Sequence, residues 1–227
     1  MRVLVVTAVA AEAEAVATGD AVVLPGGYAL TRTPSLDVLV AGVGPAAAAA
    51  ATATALMASP ERYGLVVSAG IGGGFAAHCP VGSLVVSDAI VAADLGVDLG
   101  PGTPGGFLPV DELGFGRTVH LPPAGLSARI AKAVGAVHAP VLTVSTVTGT
   151  AARAEELTAR HPRAAAEAME GFGVAEAAVA HGVPVVEIRA VSNAVGPRDR
   201  AAWRIGDALG TLRQAFQQLA PVLQEQP

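Results

Sequence analysis

Three polar side chains stand where an apolar stretch of the chain gives way to a turn or a helix. Glu12 follows the first apolar run, Glu170 lies in the segment 168–175 (AMEGFGVA), and Asn193 follows a run that ends at Ser192. Open α/β sheets bind ligands at such strand ends. A carboxylate there can take a proton or hold sugar hydroxyls, and an amide can donate and accept hydrogen bonds with a ring. A solvated helix-start glutamate and an Asx-turn are the alternatives, and these residues alone leave them open.

The elements that must position these residues alternate between strand and helix. Apolar, β-branched runs predict strands, and alanine-rich or amphipathic runs predict helices. The predicted strands are residues 2–7, 36–41, 65–69, 83–91, 137–145, 164–168 and 184–192, and the predicted helices are 8–17, 46–58, 151–160, 174–180 and 203–223. This alternation predicts a three-layer α/β/α sandwich with a central mixed sheet. With no linker or repeat in 227 residues, we expect one domain over residues 1–227.

Composition excludes several classes of function. The net charge is −5 and no dense Lys/Arg run occurs, which argues against a partner among nucleic acids or anionic membranes. Cys79 is the single cysteine, so an internal disulfide is excluded and a cysteine-based zinc site is disfavoured. The five histidines are isolated, and each is expected at the surface or in a loop rather than at a metal. The N-terminal apolar run is too short and too closely followed by Glu12 for a signal peptide, so we expect a cytoplasmic protein.

Two glycine-rich turns indicate further possibilities. Residues 42–47 (GVGPAA) fit the dinucleotide fingerprint, which indicates a nicotinamide- or flavin-dependent oxidoreductase as a rival. The motif does not follow the first strand, however, and a tight strand-to-helix turn explains it as well. Residues 70–74 (GIGGG) do not fit that fingerprint because Phe75 stands at the third glycine's place. We expect them to offer open backbone amides to a sugar, a water or an anion.

Glu12, the glycine run, the Met169–Glu170 pair and the Ser192–Asn193 strand end together resemble the purine nucleoside phosphorylase/nucleosidase superfamily. The resemblance is strongest to its hydrolase branch, which includes methylthioadenosine/S-adenosylhomocysteine nucleosidases and futalosine hydrolases. It covers nearly the whole chain and is weakest over residues 94–136. It implies a nucleoside substrate, hydrolysis of an N-glycosidic bond, and no metal or organic cofactor.

The resemblance also implies a role for each site residue. Glu12 matches the glutamate that activates the attacking water, Met169 the methionine under the sugar, and Glu170 the glutamate that holds the ribose hydroxyls. Ile71 replaces a serine that helps to hold the water, which leaves open how the water is positioned. The expected substrate-binding residues are Gly70, Ile71, Gly72, Val147, Thr148, Met169, Glu170 and Gly171.

Asn193 and Glu12 decide between the expected substrates. Asn193 stands where adenine-specific nucleosidases have an aspartate; an amide cannot shuttle a proton but can donate to O6 or N7 of a 6-oxopurine, which favours hypoxanthine over adenine. A carboxylate at Glu12, in a loop without arginine, would repel phosphate, which favours water as the nucleophile. We therefore expect release of hypoxanthine from futalosine on a route to menaquinone. The alternatives are a nucleosidase for aminodeoxyfutalosine or methylthioadenosine, a 6-oxopurine nucleoside phosphorylase, the oxidoreductase, and a non-catalytic nucleoside-binding protein.

Partner contacts are expected in the glycine- and proline-rich segment 94–117, which carries Phe107 and Phe115. Relatives pair through such loops, so the resemblance implies a homodimer or higher homo-oligomer. The group that would bind a substrate carboxylate stays open between three arginines, and a solvated charge at a helix start is the alternative that we favour for any one of them: Arg153, Arg198 and Arg200.

Overall fold

The computed structural model describes residues 2–59, 62–100 and 106–224, without the side chains of 220, 221, 223 and 224. The strands are Arg2–Thr7 (β1), Asp20–Val23 (β2), Ala29–Arg32 (β3), Leu36–Val40 (β4), Tyr63–Gly74 (β5), Leu84–Ala92 (β6), Gly96–Asp98 (β7), Phe107–Pro109 (β8), Val119–His120 (β9), Val137–Thr143 (β10), Ala166–Ala168 (β11) and Val185–Ala194 (β12). The helices are Ala10–Val16 (α1), Pro45–Ala58 (α2), Ala124–Ala133 (α3), Ala151–Arg160 (α4), Gly171–Ala180 (α5) and Ile205–Gln224 (α6).

Most strands of the described residues belong to one mixed sheet. Its order is β11-β10-β6-β12-β5-β1-β4-β3-β2, with β9 beside β6. Because β11 also pairs with β5, the strands β5, β12, β6, β10 and β11 close into a ring. The long strand β5 lies between β1 and β12 and runs parallel to both. The part of the molecule that carries the predicted site is thus a closed set of strands with few free edges.

Helices cover both faces of the sheet. On one face α1, α3 and α6 pack against the strands, with Ile130 and Leu212 fully buried among strand valines. On the other face α2 and α5 pack through small side chains such as Ala48 and Ala175. The predicted three-layer α/β/α sandwich with a central mixed sheet is confirmed, whereas its organisation as one domain stays a prediction. Within the described residues, no helix is long and apolar enough to span a membrane.

The main error in the predicted elements concerns the glycine run. Residues 70–74 do not form a loop after a short strand; they continue β5 to Gly74. Glycine is a poor strand former by itself, but here β12 on one side and β11 on the other supply the backbone pairing. The hairpin of β2 and β3 and the helix α3 were not predicted from the sequence.

The predicted excursion 94–117 has some regular structure. Within it β7 and β8 pair as a small antiparallel sheet, while its residues 101–105 lie outside the described part of the chain. The C-terminal helix begins at Ile205, two residues later than predicted, so Trp203 precedes the helix. Trp203 therefore lies outside the helix, and its side chain lines a cavity described below.

Candidate active site

Glu12 lies in the first turn of α1 and is only 4% exposed. Its Oε2 accepts hydrogen bonds from the backbone N–H groups of Ala8 (2.9 Å) and Val9 (3.3 Å), and its Oε1 accepts one from Ile71 (2.9 Å). A side chain at Gly70 would lie 2.5 Å from Oε1, so glycine is needed there. Three donors thus hold the carboxylate in one orientation. The expectation of open amides along the glycine run is wrong at Ile71, whose N–H binds Glu12.

Arg189 joins the two predicted glutamates, although the sequence did not single it out. Its side chain is 1% exposed, and its Nη1 lies 3.2 Å from Oε2 of Glu170. Its Nε donates to Oε1 of Glu187 (2.9 Å), and its Nη2 donates to Oγ of Ser68 (3.1 Å). A side chain at Gly70 would also lie 2.7 Å from Nη1, so Arg189 is next to Glu12. One guanidinium therefore organises three buried carboxylates.

The charges in this cluster do not balance. Burial raises the pKa of Glu187; the attraction of Arg189 lowers it only in part, and the charge of Glu170 adds to the rise. Burial by itself would lower the pKa of Arg189, but the charges of Glu187, Glu170 and Glu12 raise it, so this guanidinium stays charged. Among the described residues Oε2 of Glu187 has no hydrogen-bond partner. A side chain at Gly171 would lie 2.1 Å from that atom, so Gly171 makes room for Glu187.

Glu170 connects this cluster to the turn that resembles a dinucleotide fingerprint. Glu170 stands immediately before α5, which begins three residues earlier than predicted, and its Oε1 accepts a hydrogen bond from the backbone N–H of Gly44 (3.1 Å) at the start of α2. A dinucleotide would need these amides for its pyrophosphate, and a carboxylate in their place repels an anion. The geometry therefore argues against the dinucleotide-binding alternative.

Next to the charged cluster lies a cavity of about 140 Å³. Half of the predicted site residues line it, namely Ile71, Gly72, Val147, Thr148 and Asn193. The other predicted residues do not line it. Glu12, Gly70 and Glu170 lie around Arg189, and Gly171 lies against Glu187. Half-buried Met169 lies in the chain between the two groups. Because Ile71 lines the cavity and also binds Glu12, the cavity and the cluster adjoin.

Asn193 reaches the cavity through an irregularity in β12. Val191 pairs with Gly72 and Asn193 pairs with Gly73, so Ser192 is an extra residue, a β-bulge. The Ser192 hydroxyl donates to Oδ1 of Asn193 (2.8 Å), and Nδ2 donates to the carbonyl of Ala194 (3.0 Å). The carbonyl of Ala194 can only accept, so it fixes the side of the amide that carries Nδ2, and one N–H of Nδ2 is left for a ligand. The single proton of the Ser192 hydroxyl has a second acceptor in reach, the carbonyl of Gly72 at 3.2 Å.

The cavity is lined by a further buried carboxylate, Glu167, which the sequence analysis did not assign to the site. Glu167 on β11 is 4% exposed, and its Oε1 accepts a hydrogen bond from the backbone N–H of Thr148 (2.9 Å). Its Oε2 accepts another from the Thr148 hydroxyl. Burial raises the pKa of Glu167, and the two hydrogen bonds from Thr148 offset this in part.

The candidate arginines differ in their distance from the cavity. The guanidinium of Arg198 lies 5.4 Å from the ring centre of Trp203, which lines the cavity. Arg153 instead forms an ion pair with Glu156, and Arg200 is exposed in a short 3₁₀ turn. Arg198 is thus connected to the cavity through Trp203, and Arg153 is connected through its charge, which offsets in part the raised pKa of Glu167.

The prediction for the histidines is wrong for His120. It is 4% exposed, its Nε2 lies 2.7 Å from Oε1 of Glu176, and its ring packs on Phe172 at 5.1 Å. It is a core residue of the α5 side of the sheet. The described residues include no group of three or more histidine, cysteine, aspartate or glutamate side chains placed to hold a metal ion.

Comparison with known proteins places this site in a family. Residues 5–225 match the family model of the phosphorylase superfamily. The chain is 62% identical to a futalosine hydrolase of Streptomyces coelicolor, covering 99% of this chain and 97% of that protein. A methylthioadenosine/S-adenosylhomocysteine nucleosidase from Colwellia psychrerythraea, solved with adenine, is 25% identical with a TM-score of 0.76 over 96% of both chains.

The fold is also that of a solved futalosine hydrolase. The Helicobacter pylori enzyme superposes with a TM-score of 0.81 over 98% of both chains at 15% identity. The resemblance noted in the sequence is confirmed, and with it the prediction of an enzyme that hydrolyses nucleosides at the N-glycosidic bond. The chain belongs to the phosphorylase superfamily and, within it, to the futalosine hydrolases.

Proposed function

We propose that this enzyme hydrolyses the N-glycosidic bond of futalosine and releases hypoxanthine. The observation that carries the proposal is the pair of buried carboxylates, Glu12 and Glu170, held around Arg189 beside a cavity that contains Asn193. The 62% identity to a futalosine hydrolase supports the substrate.

Glu12 is the general base in this proposal. Both of its oxygens are held by backbone N–H groups; Oε2 accepts from two of them and Oε1 from one, so Oε1 keeps a lone pair that can face a water. The water attacks C1′ of the ribose, the C1′–N9 bond breaks with its electron pair passing to the purine, and the water's proton passes to Glu12. The purine anion then takes a proton from solvent water to become hypoxanthine, and Glu12 returns its proton to solvent. With Ile71 in place of a serine, Arg189 is the neighbouring donor that can hold this water.

Glu170 binds the ribose in this proposal. One of its oxygens accepts from Gly44 and the other faces Arg189, so each retains capacity for a ribose hydroxyl. N-glycoside hydrolysis passes through a sugar with oxocarbenium character. A carboxylate that both orients the sugar and faces its developing positive charge stabilises that transition state more than the ground state.

Asn193 binds the leaving base. Nδ2 donates one hydrogen bond to the carbonyl of Ala194, and its second N–H is the donor that meets the base in this proposal. An N–H donor stabilises the electron pair that arrives on a 6-oxopurine, through O6 or N7, without transferring a proton. The same donor would meet the amino group of adenine unfavourably, which supports hypoxanthine as the product.

The test is detection of free base by chromatography after incubation with futalosine, aminodeoxyfutalosine, methylthioadenosine or inosine, each with and without phosphate. We expect hypoxanthine from futalosine, independent of phosphate. Adenine release would contradict the role given to Asn193 and favour the adenine-releasing alternative. Base release only with phosphate would contradict the role of Glu12 and favour a phosphorylase.

We also propose that the enzyme acts in the cytoplasm, on a route to menaquinone.

We further propose that the enzyme is a homo-oligomer that pairs through the segment 94–117. Phe115 in this segment is 69% exposed, and Leu121 just beyond it is 76% exposed. The ring of Phe107 is instead covered by the guanidinium of Arg160 at 4.3 Å, so Phe115 is the better candidate for the contact. Light scattering should show a dimer or larger species that Phe115→Ser weakens; a wild-type monomer at micromolar concentration would contradict the proposal.

A further inference from the structure

Glu187 is a fully buried carboxylate whose presence the charge of Arg189 does not explain. Its side chain is 0% exposed, and among the described residues its Oε2 has no hydrogen-bond partner. Arg189 is already next to two other carboxylates, those of Glu170 and Glu12. A third buried negative charge exceeds what one guanidinium can neutralise, and it opposes folding. Glu187 therefore contributes something other than neutralisation.

The guanidinium of Arg189 shows what this contribution is. Arg189 follows Glu187 by two residues on β12, so the two side chains point to the same face of the sheet. Oε1 of Glu187 accepts from Nε at 2.9 Å, and Oγ of Ser68 accepts from Nη2 at 3.1 Å. A guanidinium is planar, with its donors in a rigid fork. Bonds to Nε and Nη2, along one edge, fix this plane and leave Nη1 to face Glu170 and Glu12.

The carboxyl group of Glu187 is itself held in place. A side chain at Gly171, the first residue of α5, would overlap the carboxyl group, so that group lies directly against the backbone of the helix. On the sheet side, the backbone N–H of Glu187 donates to Oγ of Ser87 on β6 at 3.0 Å. The helix and the sheet thus both restrain Glu187, as a residue that orients another side chain requires.

We propose that Glu187 is a positioning residue: its carboxylate holds Nε of Arg189, so that Nη1 stays directed at the reaction water and the ribose-binding site. With Ile71 in place of a serine, the water depends on Arg189 as its side-chain donor, so the orientation of this donor limits the rate. A displacement of about 1 Å in such a group can cost about 10²-fold in rate. The inference rests on the proposed function, because it takes the water to bind at Glu12 and the ribose at Glu170.

The first test is the rate of hypoxanthine release from futalosine by Glu187→Gln and Glu187→Met. The glutamine keeps an oxygen for Nε but loses the charge, whereas the methionine loses both. We expect kcat per folded molecule to fall about 10-fold in the first variant and about 100-fold in the second, the range for losing a hydrogen bond to a charged group. KM should change less than about threefold. Wild-type kcat in both variants would overturn the inference.

The matched control for this test is Asp37→Asn. This variant also alters a buried carboxylate that is bonded to an arginine, but at the other end of the sheet. Its kcat per folded molecule should therefore stay at the wild-type value, with the folded fraction measured by circular dichroism. The surface variant Glu155→Gln, on the exposed side of α4, should change neither activity nor the folded fraction.

A double-mutant cycle with Arg189→Lys shows whether Glu187 acts through Arg189. A lysine keeps the positive charge but has no Nε–H for Glu187 to hold. If Glu187 positions Arg189, Glu187→Gln lowers kcat in the wild-type background and has little further effect beside Arg189→Lys. A purely structural contribution would lower activity by the same factor in both backgrounds, which would overturn the inference.

The pH profile of Glu187→Gln keeps the inference testable if the Arg189→Lys variants do not fold. Glu187 faces Arg189 on its own strand and Glu170 before α5, and Glu12 on α1 faces the same guanidinium. Burial raises the pKa of Glu187, so the wild type loses this carboxylate at a higher pH than an ordinary glutamate would. The acidic limb of kcat/KM should therefore lie at lower pH in Glu187→Gln. A limb at the wild-type position would overturn the role of the carboxylate.

The proposed function is judged separately, by the wild type alone. If the wild type releases no base from futalosine, the proposed function is wrong and this inference fails with it. If the wild type releases hypoxanthine while both Glu187 variants keep its kcat, only this inference is overturned.

Discussion

Two buried charged clusters lie at opposite ends of the central strands, and they are built differently. At the amino ends, Arg2 at the start of β1 donates to Asp37 on β4 through Nε (3.0 Å) and Nη2 (2.5 Å). The hydroxyl of Tyr63, at the start of β5, donates to the same carboxylate at 2.6 Å. One carboxylate meets one guanidinium and one phenol, so charge is neutralised and both carboxylate oxygens have partners.

Toward the carboxyl ends of the same sheet, three carboxylates share one guanidinium. Glu12, Glu170 and Glu187 surround Arg189, and one oxygen of Glu187 has no partner within the described residues. Such an excess of buried negative charge opposes folding. It is favourable, however, beside a sugar that becomes positive in the transition state. The amino-end cluster is thus arranged for stability, and the carboxyl-end cluster gives up stability for the proposed reaction.

The largest expected effect is a loss of enzyme activity when the cluster at the carboxyl ends of the strands is changed. Glu12→Gln removes the proposed general base while keeping the size of the side chain, so kcat/KM for the nucleoside should fall about 10²- to 10⁴-fold. Glu14→Gln is the matched control, because Glu14 is exposed two residues later on the same helix. Steady-state kinetics of base release measures both variants. A decrease below about threefold in Glu12→Gln would contradict the assignment of Glu12.

The next effect is on stability, at the centre of the same cluster. Arg189→Met leaves the carboxylates of Glu12, Glu170 and Glu187 without their cation, so the free energy of unfolding should fall by about 3–5 kcal/mol. Because burial raises the pKa of Glu187, the folded variant takes up a proton more readily than the unfolded chain does. The stability that Arg189→Met loses relative to the wild type should therefore be smaller at about pH 5 than at about pH 8.

Urea denaturation at the two pH values measures this difference. Arg213→Met is the control, since Arg213 is exposed on α6. A loss in Arg189→Met that grows as the pH is lowered would contradict the account of the cluster.

At the amino end the same kind of change should affect stability without affecting catalysis. Asp37→Asn weakens the bonds to Arg2 and Tyr63, and the free energy of unfolding should fall by about 1–3 kcal/mol. Activity per folded molecule should stay within about twofold of the wild type. Thermal unfolding and kinetics on the same sample measure the two quantities. A large loss of kcat/KM in Asp37→Asn would contradict the conclusion that the amino-end cluster serves stability and the carboxyl-end cluster serves the reaction.

The smallest effect is confined to alkaline pH. Burial, together with the neighbouring Asp37, raises the pKa of Tyr63 to about 12 from its ordinary value of 10.0. The stabilisation from this raised pKa is fully present below the ordinary value and is lost as the pH rises through the folded value. Between about pH 9 and about pH 11 the wild type should lose more stability than Tyr63→Phe does. If the free energy of unfolding falls with pH at the same rate in the two proteins, the raised pKa of Tyr63 is contradicted.

The alternation of elements and the positions of Glu12 and Glu170 near helix starts could be predicted from the sequence because their signals are local. Each glutamate follows an apolar run and begins a helix. The signal for Glu187 and Arg189 was also present: two charged residues at positions i and i+2 in an apolar strand point to the same face. In a central strand that face is buried, and buried charges need partners.

The partnership of Glu167 with Thr148 had no comparable signal. Thr148 lies in the loop after β10, and its contact with Glu167 depends on how that loop folds over β11. The full length of β5 was missed for a similar reason. Strand structure at Gly70–Gly74 comes from pairing with β11 and β12, which are far away in sequence, and glycine alone does not predict it.

The extra residue at Ser192 makes β12 one residue longer than the stretch of β5 that it pairs with. Deleting Ser192 would join Val191 directly to Asn193 and leave a regular strand in which Val191 still pairs with Gly72 and Asn193 with Gly73. The deletion would remove the hydroxyl that contacts Oδ1 of Asn193, but no later residue of β12 would change its partner. Position 192 is therefore a place where evolution or engineering can add or remove a polar group at the wall of the cavity while the rest of the strand keeps its register.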